Sequence, residues 1–261
     1  MIRFSTYLFI CLALQPLAAR ADSSVININM VSDINYPPYS YIKDGKSAGI
    51  YTEIVTHIGK QLPDYNINIS PMPWKRALYT VKRNRSPIVI GAYKRPIKRP
   101  YLGYSEPILL ESVSIFCHKR VLTRPRNSFP EDFRNLRVGI HNGFLMGNEI
   151  SKAEENGTII LEKYLGAIPI FRHILNNQLD CYVNDQLSIL FELKNLPETL
   201  QVSENTVTEI LKIRNDHTYL GTSLNTALYP NLAGFILSFN REVKRMHKDG
   251  SIQKIINNYT D

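Results

Sequence analysis

The chain has 261 residues, of which 44% are hydrophobic and 21% charged, and its formal charge is +8. This is the composition of an ordinary globular protein with one large or two small domains, and it excludes a low-complexity or disordered chain. The excess of basic residues favours anionic partners such as solutes, lipid headgroups or polyanions. Nucleic acid is not expected among them, because the sequence contains no recognisable nucleic-acid-binding module.

The first 21 residues have the pattern of a secretory signal peptide. Arg3 supplies the positive n-region, residues 7–14 form a short apolar h-region, and residues 19–21 match an A-x-A cleavage site. The apolar run is too short to serve as a stable membrane anchor. Cleavage after Ala21 leaves 29 basic and 23 acidic residues, a formal charge of +6. The sequence therefore predicts a secreted product.

Strand and helix patterns alternate through the next part of the chain. Residues 25–31 alternate apolar and polar side chains as a half-buried strand does, and residues 49–62 carry isoleucines at the four-residue spacing of an amphipathic helix. The same criteria predict a strand at residues 65–70, a helix at residues 74–81 and a buried strand at residues 88–90. This order predicts a parallel α/β layer.

Aromatic side chains cluster near the ends of these predicted strands. The turn NYPPY at residues 35–39 places Tyr36 and Tyr39 on a loop at the end of the sheet, where loops often form pockets. Trp74 opens the second helix beside two basic residues. All three side chains are candidates for stacking on a ligand. The alternative for each is packing in the protein interior.

Basic residues are concentrated between residues 64 and 106, where nine basic residues and no acidic residue occur. The segment GAYKRPIKRPYLGYSEP at residues 91–107 follows a buried strand and includes Lys94, Arg95, Lys98 and Arg99. A strand that delivers cations into a loop indicates an anion-binding site. The alternative is a solvated basic loop, since unpaired charges are rarely buried.

A second α/β unit follows. After a β-rich run at residues 111–116, strands are predicted at residues 136–140, 159–164 and 179–183, and helices at residues 144–155, 168–175 and 186–193. A strand at residues 218–224 and helices at residues 231–247 and 251–259 complete the chain. Two such units predict a two-lobed molecule, whose ligand cleft lies between the lobes at the carboxyl ends of the strands.

The turn before the predicted helix at residues 144–155 is a second candidate anion site. Asn142 and Gly143 lie at the expected N-terminus of this helix, where free backbone N–H groups bind anions. A metal site has no support, because the six histidines are scattered without metal-ligand spacing. Cys117 and Cys181 remain after the signal peptide, and they either form a disulfide or are two buried thiols.

Together these motifs resemble the bacterial extracellular solute-binding proteins of family 3, which serve polar amino acid ABC transporters. The similarity covers essentially all of the chain after residue 21, and it depends on the order and spacing of several motifs. These are YPPYSY with GIYTEI, Trp74 with its helix, GAYKRPIKRPYLGYSEP, VGIHNG, LDCYVND and FNREVKRMHKDGSIQKI.

The resemblance implies an α/β type II periplasmic binding protein fold, with two α/β lobes joined by a two-strand hinge. Lobe I would comprise residues 22–108 and 218–261, and lobe II residues 109–217. The same topology would place the strands of Cys117 and Cys181 side by side in lobe II, at the end away from the cleft. It leaves the choice between a disulfide and two thiols open.

The family pattern also implies a set of ligand-binding residues. Family members clamp the ligand carboxylate with the arginine of a T-x-x-R pattern and hold the ammonium with an aspartate, which Asp185 matches. Here the arginine position is Lys98 and the threonine position is Arg95. Lysine cannot form the planar fork of arginine, so either Arg95 or Arg99 takes over the clamp or the ligand is not an ordinary α-amino acid. The predicted site comprises Tyr36, Tyr39, Trp74, Arg95, Lys98, Asn142, Gly143 and Asp185.

The resemblance implies a binding protein rather than an enzyme, with no catalytic residues, cofactor or metal. Its partners would be a small polar solute and an inner-membrane ABC transporter permease, and it would act as a periplasmic monomer. One alternative is a ligand sensor or orphan binding protein. Another is a lyase on the same scaffold, in which Glu53 or His141 would have to act as the acid or base.

Overall fold

A computed structural model of the chain describes residues 25–142, 144, 147–200 and 206–260. The predicted signal peptide and its cleavage site after Ala21 lie outside these residues. Within them the chain forms twelve β-strands and seven α-helices. None of these helices is long and apolar enough to cross a membrane.

The strands, in chain order, are β1 (Ile26–Asp33), β2 (Asn35–Tyr36), β3 (Ser40–Lys43), β4 (Lys46–Ala48), β5 (Tyr65–Met72), β6 (Ile88–Tyr93), β7 (Leu102–Tyr104), β8 (Leu109–His118), β9 (Arg137–His141), β10 (Ile160–Tyr164), β11 (Cys181–Asp185) and β12 (Val207–Ser223). The α-helices are α1 (Ile50–Gln61), α2 (Trp74–Lys82), α3 (Asn148–Glu155), α4 (Ala167–Leu175), α5 (Gln186–Lys194), α6 (Leu232–Lys248) and α7 (Ser251–Thr260).

Nine of the strands form one sheet in the order β10-β9-β11-β8-β12-β6-β1-β5, with β7 paired beside β12. β1 lies between β5 and β6 and is parallel to both, as the alternating strand and helix patterns predict. We call the part with β1, β5, β6 and β7 the first lobe, and the part with β9, β10 and β11 the second lobe. The antiparallel pair β8 and β12 connects them. The lobe boundaries at residues 108 and 217 stay a prediction.

Separate hydrophobic cores stabilise the two lobes. In the first lobe, Ile50, Ile54 and Ile58 of α1 are fully buried and belong to one cluster with Phe235 and Phe239 of α6. The apolar stripe predicted for α1 is therefore confirmed, and each such side chain contributes about 1.5–3 kcal/mol when buried. Two further clusters fill the second lobe on either side of β9 and β11.

The structure differs from the predicted elements in several places, of which two change the pairing of the strands. β12 begins at Val207 rather than at residue 218, because its first half pairs with β8. This half is only partly buried, so its polar residues hide the strand pattern. In addition, β2, β3 and β4 form a small separate sheet where a turn was predicted. The β3–β4 hairpin turns at Asp44 and Gly45, whose φ angles of 51° and 74° are those of a type I′ turn.

Cys117 and Cys181 form a disulfide bond. They lie directly opposite each other on the antiparallel strands β8 and β11, with their Cα atoms 4.0 Å apart. Both are fully buried in the core of the second lobe. The structure thus resolves the choice between a disulfide and two thiols in favour of the disulfide.

The disulfide predicts that the stability of the protein depends on redox conditions. Across a sequence separation of 64 residues, loop-closure entropy of the unfolded chain gives a stabilisation of about 4 kcal/mol. Urea unfolding of the oxidised protein should therefore have a higher midpoint than unfolding in reductant. The Cys117→Ala/Cys181→Ala variant is the control, and its midpoint should not respond to reductant. Equal midpoints for the oxidised and reduced protein would contradict the bond.

Candidate functional site

The side chain of Glu111 on β8 lies buried where the two lobes meet, with 1% of its surface exposed. Its Oε2 atom accepts hydrogen bonds from the hydroxyls of Tyr36 at 2.7 Å and Tyr93 at 2.6 Å. Its Oε1 atom accepts a third hydrogen bond, from the hydroxyl of Tyr51. These tyrosines belong to β2, β6 and α1. One carboxyl group therefore ties three elements of the first lobe to a connecting strand.

Burial raises the pKa of the Glu111 carboxyl to about 8. The Asp185 carboxyl adds to this rise, whereas the three tyrosine hydrogen bonds act to lower the pKa. Glu111 is therefore mainly protonated at neutral pH. The sequence interpretation missed this residue. The signal that identifies it is an acidic residue inside the apolar run ILLESVSIF at residues 108–116.

Asp185, at the end of β11, provides a second polar link between the lobes. Its Oδ1 atom accepts hydrogen bonds from the Tyr39 hydroxyl at 2.7 Å and from the Ser188 backbone N–H at 3.0 Å, and Oδ2 accepts one from the Ser112 N–H at 3.0 Å. Burial raises the pKa of Asp185 to about 6, so it is ionised at neutral pH. Protein donors thus already surround the carboxylate predicted to hold a ligand ammonium. Tyr39, predicted to stack on the ligand, is itself buried and borders a cavity of about 180 Å³ together with Asp185, and its stacking role stays a prediction.

Arg99 is a buried cation at the lobe junction, and one nitrogen of its guanidinium is unpaired among the described residues. Only 4% of its surface is exposed, and its guanidinium carbon lies 5.4 Å from the centre of the Trp74 ring. Within the described residues, Nη1 of Arg99 is buried and has no hydrogen-bond partner. Burial lowers the pKa of Arg99, but an arginine remains charged at neutral pH. Because a buried charge is costly unless it is paired, this geometry favours the binding of an anionic group.

Asp33, the last residue of β1, borders the same cavity as Arg99. The cavity has a volume of about 30 Å³, enough for about two water molecules, and Tyr36, Tyr51 and Trp74 contribute aromatic walls. Burial raises the pKa of Asp33 to about 6, so this carboxyl is also ionised at neutral pH. One cation and one anion of the first lobe therefore face a single aromatic cavity.

A larger cavity of about 240 Å³ lies next to it and shares Asp33, Trp74 and Phe144 with it. Phe144 belongs to the segment that follows β9. Its ring packs edge-on against Tyr36 and Trp74, with ring centres 5.1 and 6.3 Å apart, and it stacks on His141 at 5.0 Å. Because both cavities border Phe144, displacement of this ring would join them. Tyr36 and Trp74 both border the smaller cavity, and their contact with a ligand stays a prediction.

The two basic residues predicted as the carboxylate clamp do not border either of these cavities. Nη2 of Arg95 pairs with Oδ2 of Asp216 at 2.7 Å, and Lys98 is exposed. Both border a separate cavity of about 150 Å³ beside Arg214. The reason is a turn in which the Arg99 N–H donates to the Arg95 carbonyl at 2.7 Å. In this turn Lys98 is exposed, whereas Arg99 is buried between the lobes.

The predicted anion site at Asn142 and Gly143 does not lie at a helix N-terminus. α3 begins at Asn148 rather than at residue 144. The Asn142 N–H is also not free, because it donates to the carbonyl of Tyr164 at 2.8 Å and so extends the pairing of β9 with β10. Asn142 nevertheless borders the cavity of about 240 Å³. Gly143 lies outside the described residues.

The junction between the lobes contains two kinds of ionisable group. Glu111 and Asp185 each accept several hydrogen bonds from protein donors. Asp33 accepts one from the Asn35 N–H at 3.2 Å, but it borders the same cavity as Arg99. Such a pair matches the opposite charges of a zwitterion, since a carboxylate and an ammonium removed from water each need an oppositely charged partner. In the part of the chain that the structure describes, no cluster of three or more His, Cys, Asp and Glu residues is arranged to hold a metal ion.

The sequence matches the family model of the bacterial extracellular solute-binding proteins, family 3, over residues 28–261. The chain belongs to this family. It is therefore a solute-binding protein of an extracellular or periplasmic type, as its motifs predicted. A search of curated proteins found no significant match.

Solved structures share the architecture of this family 3 protein. A histidine kinase sensor domain with similarity to periplasmic binding proteins has a TM-score of 0.73 at 16% identity, over 91% of this chain and 97% of that chain. An arginine transport system periplasmic binding protein from Legionella pneumophila has a TM-score of 0.69 at 13% identity, over 90% and 99%. An ancestral amino acid-binding protein, a precursor of cyclohexadienyl dehydratase, has a TM-score of 0.70 at 16% identity, over 90% and 95%.

These similarities show the type II periplasmic binding protein fold. The predicted fold class, two α/β lobes joined by a two-strand hinge, is therefore confirmed. β8 and β12 are the two strands that pass between the lobes of this family 3 protein. Glu111 lies on one of them, which explains how a single side chain reaches tyrosines from so many elements.

The raised pKa of Glu111 predicts a loss of stability at alkaline pH. The folded value of about 8 exceeds the ordinary value of 4.5, so the folded protein retains a proton that the unfolded chain releases. The free energy of unfolding should fall as the pH rises from about 7 to 8, a range in which Asp33 and Asp185, with pKa values of about 6, are already mostly ionised. Glu111→Gln should flatten this slope in urea unfolding. Identical slopes for the variant and the wild type would contradict the assignment.

The bond from Tyr39 to Asp185 predicts that a single hydroxyl stabilises the lobe junction. Tyr39→Phe removes a donor from a buried carboxylate and should lower the free energy of unfolding by about 1–3 kcal/mol. Tyr41→Phe is the matched control, because the Tyr41 hydroxyl has no hydrogen-bond partner among the described residues. The control should change stability by less than about 0.5 kcal/mol. Equal effects of the two substitutions would show that the bond adds nothing.

Proposed function

We propose that this family 3 protein captures a small anionic or zwitterionic solute, such as an amino acid, between its lobes for ABC-type uptake. The observation that carries the proposal is the buried guanidinium of Arg99, which has no protein partner for Nη1 within the described residues. A guanidinium binds a carboxylate through two parallel hydrogen bonds. A bound carboxylate would therefore offset the cost of burying this charge.

We assign the cationic group of the ligand to Asp33. Its carboxylate borders both cavities, and Trp74 and Phe144 line them with aromatic faces that attract a cation. Arginine is the first solute to test, because its guanidinium fits an ionised carboxylate flanked by aromatic rings. The name of the similar arginine transport protein from Legionella pneumophila supports the same choice.

Ligand capture would stabilise the closed arrangement of the lobes. Arg99 and Asp33 belong to the first lobe, whereas Phe144 and His141 reach the cavities from the second lobe. A ligand shifts the equilibrium toward closure only through contacts that it makes better in that state. A solute that touches both sets of residues meets this condition. Bending of β8 and β12 near residues 108 and 217 would provide the hinge.

The place of the protein in the cell is part of the same proposal. The predicted signal peptide at residues 1–21 and the extracellular character of the family support export to the periplasm. There the protein would act as a monomer and present its solute to an inner-membrane ABC transporter permease. The names of similar amino acid transport proteins support this partner.

A ligand sensor is the second candidate, and the fold similarity to a histidine kinase sensor domain supports it. Capture of the solute would then control a signalling partner in the membrane. Deletion of the gene separates the two candidates. A transport protein is needed for uptake of the radiolabelled solute, whereas a sensor is needed only for the response to it.

We propose that the protein is not an enzyme. A lyase needs an acid or base in the cleft. Glu53 is exposed and accepts a hydrogen bond from Tyr259, outside both cavities, whereas His141 borders the larger one. The similarity to a dehydratase precursor keeps the lyase as an alternative. Product formation from a bound solute would establish that alternative.

Thermal-shift screening of residues 22–261 against arginine, other amino acids and small carboxylates tests the proposal. A true ligand at 100 times its Kd should add about 2.7 kcal/mol to the free energy of unfolding. Arg99→Gln removes a charge-assisted hydrogen bond worth about 1.5–3 kcal/mol, so Kd from titration calorimetry should rise at least about tenfold. Lys98→Gln is the matched control, because it removes the same charge from an exposed neighbour.

Two outcomes would contradict this account. If Lys98→Gln weakens binding and Arg99→Gln does not, the site follows the family pattern and not the buried cation. If no amino acid or carboxylate shifts the melting temperature, capture of such solutes loses its main support.

A further inference from the structure

Six exposed cations lie on adjoining parts of the surface of the first lobe and make none of the proposed contacts with the solute. We call this surface the basic face, and it consists of Arg76, Lys82, Arg83, Arg85, Lys94 and Lys98. The face combines the outer side of α2, the turn that follows this helix and the loop that follows β6. The solute site uses none of these side chains.

Side-chain packing makes the helix and the loop one continuous surface. Ala77 and Val81 are the buried side of α2, which leaves the cations on the outer side. The Nζ atom of Lys82 lies 5.6 Å from the ring centre of Tyr101, a residue that follows the loop. Tyr101 also packs against the same hydrophobic cluster as α2. The helix alone extends for about 13 Å at 1.5 Å per residue.

The positive charge of this face is not compensated locally. The chain has no acidic residue between residues 64 and 106. Within the described residues none of the six cations forms an ion pair, whereas Arg95 beside them pairs with Asp216, and Lys163 and Lys244 on other surfaces also have carboxylate partners. Uncompensated charge of one sign over an extended surface attracts an extended surface of opposite charge.

An exposed aliphatic residue lies among these charges. Ile97 is 90% exposed, follows Pro96 and is flanked by Lys94 and Lys98. An apolar side chain surrounded by lysines suits a lipid interface, where the chain enters the boundary of the acyl region while the lysines meet anionic headgroups. Lipid headgroups also rearrange to meet cations spread over a helix and a loop. An acidic protein partner would also match the positive charges, but it would leave the exposed side chain of Ile97 without a role.

We propose that the basic face binds an anionic phospholipid surface, with Ile97 inserted at the level of the headgroups. Each Lys or Arg near such a surface contributes substantially to attraction, and the contribution falls with salt. This contact would hold the protein beside the membrane that contains its proposed permease partner. It is independent of which solute the cleft binds.

Cosedimentation with vesicles tests this proposal on the chain of residues 22–261. The protein should bind vesicles of equimolar phosphatidylglycerol and phosphatidylcholine at low salt, and should not bind phosphatidylcholine alone. Arg76→Glu/Lys82→Glu/Arg85→Glu should weaken binding roughly a hundredfold. The matched control is Arg134→Glu/Lys152→Glu/Arg172→Glu, which changes net charge equally through exposed cations of the second lobe. Melting curves establish that both variants fold.

Ile97→Ser provides an independent readout, since it should weaken binding severalfold without changing the salt dependence. Absence of binding to the anionic vesicles would overturn the proposal. Equal losses in the two triple variants would overturn it as well, because net charge alone would then explain the attraction. Binding to soluble polyglutamate as tight as to vesicles, with Ile97→Ser silent, would overturn it in favour of an acidic protein partner.

Discussion

The buried carboxyl group of Glu111 is the interaction on which the junction between the lobes depends. Three tyrosine hydroxyls that are themselves buried need an acceptor there, and an unsatisfied buried hydroxyl costs about 1–3 kcal/mol. Glu111 meets this need for Tyr36, Tyr51 and Tyr93 from a position on a connecting strand. The tyrosine turn, α1 and β6 are thereby fixed around β8. A charged or displaced Glu111 would disturb all of them together.

This arrangement separates structural charges from charges available to a ligand. Asp185 is held by Tyr39 and two backbone N–H groups, so its charge is used to join the lobes. Arg99 and Asp33 are buried and border one cavity, and Nη1 of Arg99 has no hydrogen-bond partner within the described residues. The contrast is chemical rather than positional, because all of these groups are buried. On the proposed function, a bound solute would complete the hydrogen bonding of Arg99 that the described protein atoms leave unfinished.

Periodicity predicted the helices and the longer strands of both lobes, because burial on one face imposes repeats of two or 3.6 residues on the sequence. It missed the first half of β12, where pairing with β8 rather than burial determines the conformation. The candidate site was harder to predict. The family pattern gave Lys98 as the position of the arginine clamp. In the structure, a tight turn buries the next residue, Arg99. A shift of one position within a turn leaves no periodic signal in the sequence.

Glu111 was missed for a related reason, since a lone acid in an apolar strand gives no motif until its tertiary partners are known.

The central claim is that Arg99 receives the anionic group of the solute. A crystal structure of the complex with the solute that gives the largest thermal shift tests this most directly. We predict that this anionic group lies within hydrogen-bonding distance of Arg99 Nη1. The Tyr39 hydroxyl should still donate its hydrogen bond to Asp185. A carboxylate bound by Lys98, or an ammonium on Asp185 in place of Tyr39, would contradict it.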